Sequence, residues 1–84
     1  MKENEFKINQ NIGWKWMGRV ISGIVEEVYY RPIEKEIKGK IIKRNGSTEK
    51  PAYLVKSSAG NYALKLQSEI FILEENPLDK KLNF

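Results

Sequence analysis

Eighty-four residues without a single cysteine or histidine exclude a disulfide-stapled fold, thiolate or imidazole metal ligation, and the commonest general bases and thiolate nucleophiles. A chain this short forms one domain that buries only about 60% of its unfolded surface, so it offers a shallow groove or a rim site and no deep enclosed active site. The net charge of +4 is unevenly spread, because residues 31–56 carry eight basic side chains against three glutamates while the remainder is slightly acidic.

Residues 1–11 are polar and mixed in charge, lacking the apolar run of a signal peptide, and are expected to be a flexible tail. No stretch elsewhere is long and apolar enough to span a bilayer, so a cytoplasmic protein with no membrane partner is the expectation. Ile12, Trp14 and Trp16 alternate with Gly13, Lys15 and Met17, which predicts a first strand with one heavily apolar face. Gly18 turns the chain. Residues 20–30 are rich in β-branched and aromatic side chains and predict a second strand, but its phase is open: Ile21 and Val25 compete with Val20 and Ile24 for the inward face. The pair Glu26-Glu27 interrupts the alternation. A bulge there brings Val25 and Val28 to the same side and lets a long strand bend round a barrel corner. Pro32 is expected to end regular pairing.

Residues 33–44 are read as two short strands around the Lys38-Gly39 turn, with Glu34 opposite Lys43. The alternative is one long strand bulged at Gly39. Asn45-Gly46-Ser47 makes a turn, and Pro51 opens a nearly continuous apolar strand from Ala52 to Ser57. Ser58-Ala59-Gly60-Asn61 is the next hairpin loop, followed by a strand over residues 62–65, a helical turn at Leu66-Gln67-Ser68 and a closing strand over residues 70–73. Residues 74–84 read as a second tail, in which Leu78, Leu82 and Phe84 are candidates for docking on the barrel.

Three segments carry a family resemblance: Ile12-Gly13-Trp14-Lys15-Trp16, the run from Lys38-Gly39-Lys40 through Arg44-Asn45-Gly46 to Pro51-Ala52-Tyr53-Leu54, and Leu64-Lys65-Leu66-Gln67-Ser68-Glu69-Ile70. Together they resemble the hypervirulence-associated protein Tudor domain, a small bacterial and fungal module without a catalytic motif. The resemblance implies an all-β fold: a small five-stranded, bent antiparallel barrel of the Tudor-like or Src-homology-3-like type over residues 12–73. The basic hairpin, residues 33–44, is inserted between the second and third barrel strands. Arg44, Asn45, Pro51, Ala52 and Tyr53 match the pattern residue by residue, and an architectural account of them is also open, with Asn45-Gly46 turning the chain, Pro51 setting φ and Tyr53 packing.

The inventory is poor for an enzyme. Ser47 and Ser58 have no conventional activator, Glu26 and Glu27 point to opposite faces unless a bulge intervenes, and Asp79 is the only aspartate, so no cofactor or metal is expected. The expectation is a non-enzymatic binding module, monomeric by default. Its leading partner is nucleic acid or another anion, held by Arg31, Lys35, Lys38, Lys40, Lys43, Arg44 and Lys50. Those same lysines also suit a protected sheet edge that binds nothing. A second reading is a protein-peptide reader that uses Trp16, Tyr29, Tyr30 and Tyr53 as rim aromatics, with Glu26 or Glu27 supplying a carboxylate; each of these rings is equally compatible with the core. Trp14, mid-strand and in phase with Ile12, is assigned to the core. A structural or stress-related domain with no specific ligand is the third reading.

Overall fold

The computed structural model describes residues 5–73. Seven strands run in chain order: β1 (Asn11–Trp16), β2 (Arg19–Tyr29), β3 (Pro32–Ile37), β4 (Lys40–Asn45), β5 (Ala52–Ser57), β6 (Tyr62–Leu66) and β7 (Ile70–Ile72), with a 3-10 turn at Gln67–Glu69. Five form one antiparallel sheet in the order β6-β5-β2-β1-β7, and β3 pairs with β4 in a separate hairpin. The outer strands β6 and β7 are joined only by the 3-10 turn, a connection that spans no more than roughly 14 Å even fully extended. The two edges of the sheet must therefore meet, which curls it into the small barrel.

Local sequence explains each corner. Met17 and Gly18 both have positive φ (51° and 78°), as do Lys38 and Gly39 (53° and 79°), so both tight hairpins use the turn whose twist matches that of the flanking strands. The β2–β5 register shifts between Val25 and Glu27, so Glu26 is an added residue and both Val25 and Val28 reach the interior. The phase of β2 is thereby resolved: Ile21 and Val25 pack inward while Val20 is 55% exposed. Glu34 pairs with Lys43 across the β3–β4 hairpin as the charge pattern suggests. Pro32 does not end pairing. It opens β3 opposite Asn45, the first-residue position at which a strand tolerates the missing N–H.

Phe6, Ile12, Trp14, Val25, Tyr53, Val55 and Ile70 form the core. Phe6 corrects the expectation of a flexible tail over residues 1–11 for its described part, residues 5–11; residues 1–4 lie outside the described residues. The Phe6 ring meets Tyr53 edge-to-face at 5.6 Å, and Asn9 N donates to Val25 O at 2.7 Å while Val25 N donates to Gln10 O. One aromatic in a polar segment leaves no periodic trace in the sequence, which is why this docking was not expected. The tail over residues 74–84, including Leu78, Leu82 and Phe84, lies outside the described residues.

At Gly23 the backbones of β2 and β5 approach too closely for a side chain. A Cβ built there would lie 2.3 Å from Lys56 O, a backbone atom that cannot swing aside. Gly23→Ala is expected to force the strands apart at a cost on the order of 1–3 kcal/mol, read as a lower urea midpoint with an unchanged slope.

Candidate functional site

Strand alternation sorts the basic residues of the hairpin onto opposite faces. The cross-strand pairs Ile33/Arg44, Lys35/Ile42 and Ile37/Lys40 share the face turned to the barrel, and Glu34/Lys43 and Glu36/Ile41 share the other. The outward face therefore holds two glutamates and one lysine, and the expected continuous basic surface does not form.

Three of its cations are already occupied. Arg44 donates through Nε to Leu64 O at 3.2 Å and its guanidinium lies 3.3 Å from Glu69, whose other oxygen accepts Leu66 N at 2.8 Å. This chain ties β4 to β6 and to the 3-10 turn, so Arg44 anchors the hairpin. Arg44→Met should cost about 1–3 kcal/mol and raise hydrogen exchange selectively in β3 and β4. Lys35 pairs with Glu27 at 3.6 Å and stands 5.4 Å over the Tyr29 ring. Lys43 pairs with Glu34 at 3.4 Å, both side chains well exposed, an arrangement that adds little stability. No described carboxylate pairs with Arg31, Lys38, Lys40 or Lys50. These four are divided between the two ends of the hairpin, roughly 20 Å apart for strands of this length: Arg31 and Lys50 at its base, Lys38 and Lys40 at its tip.

The proposed aromatic rim also comes apart. Tyr53 is fully buried, so its assignment to a rim is corrected: its hydroxyl donates to Gln67 Oε1 and accepts Phe6 N at 3.1 Å. Burial pushes its phenol up from the ordinary value, opposed by the Phe6 amide and assisted by the Glu5 carboxylate. Tyr29 has the protein's own Lys35 over its ring, and the Tyr30 hydroxyl donates to Glu5. Trp16, 56% exposed, is the one of the four that lines a described cavity.

That opening is a cavity of about 370 Å³ at the mouth of the barrel, between the β1–β2 and β5–β6 hairpins. Trp14 and Ile21, packed in or against the core, lie at its floor; Trp16 and Tyr62 line it, with Lys38 and Lys65 as its charged residues. Arg19 is the cross-strand partner of Trp16 and shares its face. No carboxylate lines this cavity. The Lys56 ammonium sits 5.5 Å from the Tyr62 ring centroid and occupies one face of that ring, as Lys35 does for Tyr29, so Tyr62 offers the cavity its edge or its other face. The mouth thus unites Trp16 and Lys38 with Tyr62 and Lys65, two residues absent from the sequence-based site. The β5–β6 hairpin that carries them is readable in the sequence, but its place beside Trp16 and Lys38 appears only in the folded barrel.

A second cleft of about 560 Å³ lies between the hairpin and the outer face of the sheet; Glu26, Glu27, Glu36 and Lys35 line it, Tyr62 is its one aromatic ring, and it adjoins the mouth cavity through the shared residues Lys38, Asn61 and Tyr62. A cage for a methylated cation needs several rings in an electronegative setting. The aromatic cavity is lined by lysines and the acidic cleft has a single ring, so neither meets that requirement. Among the described residues no group of acidic side chains is placed to hold a metal ion, and no helix is long and apolar enough to cross a membrane.

No curated protein and no solved structure matches this chain. A family match covers residues 10–70, from just before the tryptophan strand to the start of β7, and that family is described as the Tudor domain of hypervirulence associated proteins. Tudor-like domains are in general binding modules, which accords with a site built of rings and cations at a barrel mouth. By its all-β barrel and by that match over most of its length, the chain belongs to the hypervirulence associated protein Tudor domain family.

Proposed function

We propose that this protein is a nucleic-acid-binding module and that its contact surface is the barrel mouth, with the tip of the hairpin as one wall. The observation that carries the reading is the composition of the 370 Å³ cavity: three aromatic residues, two lysines and no carboxylate. Such a lining attracts a ligand that is anionic and also has flat π-faces, and it repels the cationic side chains that an aromatic cage would take. Lys40, next to Lys38 at the hairpin tip, and Arg19, beside Trp16, extend the positive potential beyond the cavity.

A salt series tests it. Binding of short oligonucleotides should weaken linearly in log affinity against log salt, and amide shifts should centre on Trp16, Lys38, Tyr62 and Lys65. Shifts confined to Glu26, Glu27 and Glu36, or binding indifferent to salt, would favour the peptide-reader alternative and overturn the proposal.

A further inference from the structure

Resting on the nucleic-acid reading, we infer that the mouth cavity takes one unpaired base, which makes the protein selective for single-stranded over double-stranded nucleic acid. The cavity, at about 370 Å³, lies at the small end of the roughly 300–1,000 Å³ range of small-molecule sites, a size suited to a single ring system and not to a strand. Its recessed surface is apolar and aromatic. Its cations stand on separate strands and turns: Lys38 on the hairpin tip and Lys65 on β6. A base on the rings with its flanking phosphates near the two ammonium groups satisfies both halves of that lining.

Two polar side chains add base-edge chemistry. Ser57 is only 7% exposed and lines the cavity, and its oxygen accepts Asn61 N at 3.0 Å, which leaves the hydroxyl proton without an acceptor among the described residues. Asn61 lines the same cavity, and its carboxamide makes no hydrogen bond to another described residue. A carboxamide offers donor and acceptor together, the pattern that a base edge presents in return. In a duplex those edges are paired and the faces are stacked on neighbours, so a paired base could fill this cavity only by leaving the helix, at the cost of unstacking and unpairing.

The test uses the full chain and three ligands of about ten nucleotides: a single strand, its duplex, and an abasic strand with the same phosphates and no bases. The single strand is expected to bind about tenfold or more tightly than either of the others and to change the tryptophan emission. Trp16→Ala, which removes an exposed ring, should bring the intact strand down to the level of the abasic one with an unchanged circular dichroism spectrum. Asn61→Asp, which puts a carboxylate at the mouth, should weaken the intact strand by a similar factor and serves if the tryptophan variant does not fold. Equal binding of the abasic strand or of the duplex overturns the base pocket and leaves phosphate binding standing. If none of the three ligands binds, the nucleic-acid reading falls, and the pocket falls with it.

Discussion

Tyr53→Ala is expected to unfold the protein. The side chain is fully buried, its ring meets Phe6 edge-to-face, and its hydroxyl connects Gln67 to the Phe6 backbone. Truncation of a buried aromatic costs on the order of 3–5 kcal/mol, against a total stability of roughly 5–15 kcal/mol for domains in general and the low end for one so small. Tyr53→Phe separates the ring from the hydroxyl. It should cost only about 1–2 kcal/mol, because the ring stays and two polar partners lose a bond. The pair of variants also makes a pH prediction. Burial raises the Tyr53 phenol above 10.0, so the folded state holds this proton more tightly than the unfolded chain. The stability it contributes is complete below that pH and is lost as the pH rises beyond it. Urea unfolding at neutral and alkaline pH should therefore show a steeper alkaline loss for the parent than for Tyr53→Phe. Parallel losses would remove Tyr53 as the cause.

Much of this architecture is legible in the residues because it is local. The Met17-Gly18 and Lys38-Gly39 turns are set by adjacent residues, the charge pair Glu34/Lys43 follows from the second of them, and the bulge at Glu26 is marked by the break in alternation at Glu26-Glu27. The phase of β2 is different: the alternation itself admits both choices, and it is decided by tertiary contacts, the approach of Gly23 to Lys56 and the burial of Val25 in the core opposite Val55. The site was the least legible feature. A run of basic residues along the chain is a statement about sequence, whereas alternate residues of a strand face opposite ways and find partners elsewhere. Glu27 and Glu69, which engage Lys35 and Arg44, lie outside residues 31–56, so no charge count over that stretch reveals them. Conversely, Trp16, Lys38, Tyr62 and Lys65 are scattered along the chain and become neighbours only when β6 and β7 bring the ends of the sheet together.

The same sorting of cations gives the binding prediction with the largest expected effect. Reversing Lys38 and neutralising Lys65, as Lys38→Glu with Lys65→Gln, removes both lysines from the mouth, whereas Lys43→Glu with Lys50→Glu changes two exposed lysines of the basic stretch that do not line it. Both double variants should fold, since substitutions of exposed or half-exposed charges away from buried networks stay within roughly 0.5 kcal/mol each. Only the first should lose affinity. For a single strand each phosphate contact contributes a slope of about −0.7 in log affinity against log salt, so losing two should make the dependence shallower by roughly 1.4. The second variant lowers the net charge further, by four charges (two Lys→Glu changes) against three (one Lys→Glu and one Lys→Gln), and is the control for diffuse attraction. If the charge of the whole basic stretch were responsible, the two variants would weaken binding in proportion to the charge removed, and the control would be the weaker binder. A mouth-centred site predicts the opposite order, because Lys43 already faces Glu34 on the outer side of the hairpin and Lys50 sits at its far end. An ordering that follows net charge would return the interaction to long-range attraction and remove the barrel mouth from it.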